Sequence, residues 1–371
     1  MSHCVATIWL GHFFMKVLGA RTHYKSNEGK LRLSAVDYWR IDNPLSHVAK
    51  NTDIKVDFIN KIVKDGVEPV TTWEKVGKGY DVFYSSYYST PKPYAYLRAA
   101  GDLYNAKIVM DIDDNVFEVD EMAPAYVRFY PGSEPLKNIT TIIRDVPILT
   151  TSTKYLAGVC AKYRQKPVYV MPNYIDPTVY RYDPRLIPDN EDKIIIGYQG
   201  SSTHYSDLIS TGVLYALRRI VNEFDNVFVN IVGCIIDDFK LYLPKDRITF
   251  TSGATDHKQW RKVWQKLDFD IGIAPLLNSG FNRAKSSIKY YEYSLRKIPA
   301  VYSWIDPYLD VVKENETGFL AQDEEEWYEK IKWLVSNQVL RKNMGQVARD
   351  DVLNNYTIQR NWHKWETLLR S

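Results

Sequence analysis

From Leu31 onward, short apolar runs rich in β-branched residues alternate with stretches of helical periodicity, and this alternation stops once and then restarts. Few folds satisfy such a pattern: strands alternating with helices form a parallel sheet covered by helices. In the first half the strand candidates are Leu31–Asp37, Ile54–Ile59, Asp81–Tyr84, Lys107–Met110, Ile148–Thr151 and Val168–Met171. Helices are expected over Pro44–Lys50, Pro93–Tyr104 and Ser152–Tyr163, with the Ser152 hydroxyl as a helix cap. Asn173 to Asp192 carries Pro177, Pro184 and Pro188 among acidic side chains, without apolar periodicity, and reads as a linker. Strands then recur at Lys193–Tyr198, Val227–Val232, Arg247–Thr251, Phe269–Ala274 and Ala300–Tyr302. Helices between and after them are expected at Asp207–Glu223, His257–Leu267, Ser286–Arg296, Glu324–Ser336, Val339–Asn354 and Ile358–Leu369. The fold class is therefore α/β, with two doubly wound Rossmann-like domains in tandem, and 371 residues suit two domains. The expected boundaries are an N-terminal extension 1–30, a first domain 31–175, a linker 176–192, a second domain 193–355 and a final helical segment 356–371. Ligands of such sheets lie beyond the carboxyl ends of the strands, here in the crevice between the domains.

Composition narrows the class of function. Hydrophobic residues make up 45% and charged residues 25%, which excludes a disordered or fibrous chain. A net charge of +3 gives no electrostatic argument for a nucleic-acid partner. Cys4, Cys160 and Cys234 have no CxxC spacing and build no disulfide framework, which points to a reducing, cytoplasmic compartment. The apolar run Val5 to Ala20 is broken by His12 and Lys16. It falls short of the ~20 apolar residues that span a bilayer. No small-residue cleavage site follows it. It reads as a buried strand or helix of the N-terminal extension, with peripheral contact to a membrane as the lesser reading.

Phe269 to Pro307 carries the most chemistry. A buried strand ends at Pro275, a loop follows, and Lys285-Ser286-Ser287 opens a helix whose free N–H groups suit a phosphate. Lys285, Lys289, Glu292 and Arg296 recur at helical spacing and share one face. The lysines would balance a diphosphate, and Glu292 would accept hydrogen bonds from a ribose diol. The plainer alternative is a solvated face with a Lys289–Glu292 pair worth a few tenths of a kcal/mol. In the first half, Asp111-Ile112-Asp113-Asp114 follows a strand, so Asp113 or Asp114 could orient an acceptor hydroxyl or act as a base. Aspartates there also serve as turn and cap residues. His204, after the loop Gly200–Thr203, is a hydrogen-bond donor to a phosphate or a surface residue. No HExxH, Walker A or G-x-S-x-G sequence is present, and no metal site is expected.

Four ordered stretches carry a resemblance. Val168-Tyr-Val-Met-Pro-Asn-Tyr-Ile-Asp176, Ile194-Ile-Ile-Gly-Tyr-Gln-Gly200-Ser201-Ser202-Thr-His204, the Phe269–Pro307 region and Glu316-Thr-Gly-Phe-Leu320 resemble the signatures of GT4-type glycosyltransferases. The resemblance covers Leu31 to the C-terminus and is strongest from Ile194. It implies the GT-B fold, with two facing Rossmann-like domains, the donor mainly on the second, and a C-terminal helix crossing back to the first. It implies a retaining, metal-independent transfer of a sugar from a nucleotide sugar, a UDP- or GDP-sugar, used as substrate with no further cofactor. The acceptor is expected to be a hydroxyl of a glycan or glycolipid. Alternatives are a hydroxymethylated base in DNA, or a non-catalytic nucleotide-sugar-binding module. Glu292 matches the second glutamate of the E-x7-E motif, while the first position holds Ala284, so contacts to the transferred sugar depart from the family. Gly200, Ser201, Ser202, His204, Lys285, Ser286, Ser287 and Lys289 are assigned to the phosphates, Glu292 to the ribose, Phe281 and Asn282 to the loop near the sugar, and Asp113 and Asp114 to catalysis.

Overall fold

The computed structural model describes residues 14–25, 31–63, 73–121, 123, 125–183, 192–201, 204–234, 239, 241–254 and 256–371. The first sheet holds β1 (Lys16–Lys25), β2 (Leu31–Leu33), β3 (Lys55–Val63), β4 (Val82–Ser86), β5 (Lys107–Ile112), β6 (Ile148–Thr151) and β7 (Val168–Val170). Its parallel strands lie in the order β3-β1-β4-β5-β6-β7, and the short β2 pairs antiparallel with the end of β1. The second sheet holds β8 (Ile194–Gln199), β9 (Val227–Val232), β10 (Ile248–Thr251), β11 (Ile271–Ala274), β12 (Ala300–Ser303) and β13 (Phe319–Ala321). All six are parallel, in the order β10-β9-β8-β11-β12-β13. Apolar clusters cover both faces of each sheet, as a parallel sheet requires.

The structure corrects the expected start of the first domain. β1 is an interior strand between β3 and β4, not part of an extension ahead of the sheet. Its residues Val17, Leu18 and Ala20 are buried, and at Gly19 the Phe58 ring occupies the space of a side chain. A strand buried on both faces shows no alternation, which is why the run read as an isolated apolar stretch. The expected strand Leu31–Asp37 keeps only Leu31–Leu33. A helical turn (Ala35–Asp37) and a π-helical turn (Tyr38–Asp42) then lead into the helix Asn43–Asn51. The expected helix Asp207–Glu223 divides into Tyr205–Ser210 and Val213–Glu223, because Gly212 adopts φ of 81° between them. The linker residues 184–191 lie outside the described residues.

The chain passes between the domains twice, side by side. Ile175 on the way out pairs with Thr357 on the way back, with Ile175 N donating to Tyr356 O (3.0 Å) and Ile358 N to Ile175 O (2.9 Å). The final helix, His363–Arg370, then buries Trp365, Leu368 and Leu369 against Val17, Ile41 and Leu45 of the first domain. Among the described residues no helix is long and apolar enough to cross a membrane.

Candidate functional site

The strand order of the second sheet reverses between β8 and β11, and a cleft opens where such sheets bind ligands. Its floor is backbone. Gly200, Gly233 and Gly253 follow the carboxyl ends of β8, β9 and β10. A Cβ on Gly233, where φ is 85°, would stand 2.6 Å from the Gly200 carbonyl oxygen, and one on Gly253 would stand 2.7 Å from the Gly233 Cα. Side chains there would push the strand ends apart, so a ligand on this floor meets main chain.

The cleft, about 540 Å³, lies between the domains. Gly200, Ser201, His204, Lys285, Ser286, Lys289 and Glu292 line it from the second domain, and Asp113 and Asp114 face them from the first. Of the other expected site residues, Ser202 lies outside the described residues. Phe281, Asn282 and Ser287 do not line the cleft and hold its loop instead. The Phe281 ring sits 4.1 Å from the Lys285 ammonium. Asn282 Nδ2 donates to Asp207 Oδ1 (2.7 Å) and to Leu277 O (3.0 Å), and the Ser287 hydroxyl donates to Pro307 O (2.6 Å). Arg296 also turns away, donating to the carbonyls of Trp264 and Leu267. The expected helix Ser286–Arg296 spans only Ile288–Leu295, so its face brings Lys289 and Glu292 to the cleft, while Lys285 enters from the loop before it.

Glu292 is buried. Gln199 Nε2 donates to its Oε2 (2.5 Å) and Trp260 Nε1 to its Oε1 (2.8 Å). Burial pushes its pKa up to about 7, against the opposing pull of the Trp260 hydrogen bond and the Lys289 charge. Each oxygen keeps acceptor capacity. The Gln199 Oε1 beside it is buried with no partner among the described residues. Lys289, one turn before Glu292, makes no ion pair or hydrogen bond among the described residues, and burial lowers its proton affinity. Lys285 Nζ sits 2.8 Å from Asp114 Oδ1. His204 Nδ1 lies 2.7 Å from Asp207 Oδ2, while burial first, and the nearby Lys289 second, hold the ring below its usual proton affinity. Asp207, which no motif singled out, thus ties His204, Asn282 and the Leu277 N–H (2.9 Å) together.

On the first domain, Asp111 is committed to structure. Arg40 Nε and Nη2 donate to its two oxygens, each at 2.8 Å, and the Thr150 hydroxyl donates at 2.5 Å. The same guanidinium reaches Met171 O and Asn173 Oδ1 (2.8 Å). The strand ends at Ile112, and Asp113 leaves the ladder to enter the cleft. Burial, then the charges of Asp114 and Asp111, raise its proton affinity well above the ordinary carboxylate value. Ser152 donates to the Asp113 carbonyl (3.3 Å), so the expected capping role falls to Thr153, whose hydroxyl accepts from Leu156 N (3.2 Å). Ala284 is buried with the first-domain core, and its carbonyl accepts from the Thr153 hydroxyl (3.1 Å). Arg40, Asp207, Trp260 and Trp39, which lines the cleft from the π-helical turn, were singled out by no motif, and Gln199 stood in a recognisable stretch without a role. Most of their partners lie on other elements.

No protein-family model and no curated protein matches the chain. Solved structures do. Sucrose-phosphate synthase from Thermosynechococcus elongatus superposes over 96% of this chain and 98% of its own, with a TM-score of 0.66 at 11% identity. Anabaena Alr3699/HepE in complex with UDP and glucose covers 96% of this chain and 100% of its own, with a TM-score of 0.66 at 13% identity. A glycosyltransferase from Rickettsia africae covers 96% and 98%, with a TM-score of 0.63 at 14% identity. At these identities the likeness is one of fold. The chain has the GT-B fold, two Rossmann-like domains with a cleft between them.

Proposed function

We propose that the protein is a glycosyltransferase of the GT4 type that moves a sugar from a nucleoside-diphosphate sugar to a hydroxyl acceptor, a glycan or glycolipid. The observation that carries this reading is the order of groups along one cleft wall: two lysines beside a backbone floor, then a buried carboxylate with acceptor capacity to spare. Lys285, Lys289, Ser201 and Ser286 take the diphosphate, and Glu292 takes the ribose diol. Anabaena HepE, with the same fold, is a UDP and UDP-glucose complex, which favours UDP as the nucleotide. The reaction is then a matter of positioning and of charge stabilisation on the departing diphosphate. The lysines supply that charge, which fits transfer without a resident metal. Retention of the anomeric configuration rests on the GT4 resemblance, and a cytoplasmic location on the cysteines. Where the family carries its first glutamate, Ala284 is packed into the seam, and in this reading the carboxyl groups that serve the reacting sugar are those of Asp113 and Asp114 from the opposite domain.

A thermal-shift series with UDP, GDP, ADP, TDP and CMP, each with and without EDTA, tests this. The expected result is a selective rise in melting temperature with one nucleoside diphosphate that survives EDTA. No rise with any of them would refute the donor site. Hydrolysis or transfer from the matching nucleotide sugar then separates an enzyme from a binding module.

A further inference from the structure

The two lysines of the cleft are in different states. Lys289 has no carboxylate partner among the described residues, whereas Lys285 reaches across the seam to Asp114 (2.8 Å), with the Phe281 ring 4.1 Å from its ammonium. Both members of that pair line the cleft and keep partial access to solvent. An anion approaching Lys285 meets a carboxylate already at ion-pair distance, and two like charges around one ammonium repel.

We propose that Asp114 is a resident counter-ion that holds Lys285 in the donor-free protein and yields it to the donor's diphosphate. Donor arrival then leaves the Asp114 carboxylate free beside Asp113 to position the acceptor hydroxyl, so acceptor binding follows donor binding. This rests on the glycosyltransferase reading above. The exchange needs no opening of the seam. The same loop is held separately by Asn115 Nδ2 donating to Gly280 O (2.9 Å), by Thr153 on the Ala284 carbonyl (3.1 Å) and by Asn173 Nδ2 donating to Ser286 Oγ (2.9 Å). Only the Lys285 side chain has to swing.

The test is a double-mutant cycle read by calorimetric titration with UDP and GDP, using wild type, Asp114→Asn, Lys285→Met and the double variant. Asp114→Asn is close to isosteric at a partly exposed position, and a melting curve checks the fold of every variant. Asp114→Asn is expected to bind the nucleoside diphosphate about three- to fivefold more tightly, the scale of a partly exposed ion pair. Its sugar-transfer rate should fall at the same time. Lys285→Met should weaken binding, and adding Asp114→Asn to it should restore little. Unchanged or weaker binding by Asp114→Asn would overturn the exchange. So would an equal gain in the Lys285→Met background, because that would be general repulsion and not competition for one cation. If wild type binds none of UDP, GDP, ADP, TDP and CMP, the donor-site reading fails and takes the exchange with it; if wild type binds the nucleotide titrated and the cycle shows no coupling, the exchange alone fails.

Discussion

Glu292 holds a charge balanced near neutrality, and its role depends on which form is present. Accepting hydrogen bonds from two ribose hydroxyls requires the carboxylate. With its pKa pushed up to about 7, donor affinity should weaken as pH falls through that value. Glu292→Gln should raise the donor dissociation constant about 10- to 100-fold, the worth of hydrogen bonds to a charged group. It should also flatten the pH dependence, as measured by nucleoside-diphosphate titration at pH 6, 7 and 8. Gln199 can accommodate that change by turning its amide, which gives its unpartnered Oε1 to the new N–H. The sign of the stability effect is opposite. The folded protein binds a proton at Glu292 more tightly than the unfolded chain, whose value is near 4.5, so this residue costs stability as pH rises from there through about 7. Glu292→Gln should therefore gain in melting temperature relative to wild type between pH 5 and pH 8.

At the scale of elements, helical spacing was the legible part. Lys289 and Glu292 reach one cleft because positions three apart share a helix face, whereas Lys285, expected on that face, reaches the cleft from the loop ahead of the helix Ile288–Leu295. The same rule failed for Arg296, where the helix turns its end toward buried carbonyls. Phe281, Asn282 and Ser287 lie in or beside a short loop, and spacing does not say which side of a loop packs inward. The glycine floor was half legible: Gly200 stood in a recognisable stretch, while Gly233 and Gly253 acquire meaning only when three strand ends lie side by side. Arg40 is the clearest omission. It sits in a π-helical turn and meets Asp111 across the first domain, a pairing no local pattern announces. Both side chains are buried, so Arg40→Ala leaves an uncompensated carboxylate inside the fold. The expected cost is about 3–5 kcal/mol in urea denaturation, and it should be much smaller in an Arg40→Ala, Asp111→Ala double variant.

At the scale of the whole molecule, the restart of the strand–helix alternation after the proline-rich stretch made the two-sheet plan readable before any coordinates. The return of the last helix was legible only through family resemblance. Its anchor is Trp365, fully buried among first-domain residues although it lies at the far end of the chain. Trp365→Ala should cost about 3–5 kcal/mol and lower the melting transition, with nucleotide affinity retained below that transition. The two passages of chain at Ile175 and Thr357 have a mechanical corollary. A joint made of two adjacent, hydrogen-bonded segments behaves as a strip: it flexes across its width and resists torsion along its length. The registration of the walls carrying Asp113 and Lys289 is thus inherited from the backbone and does not have to be found anew by a ligand.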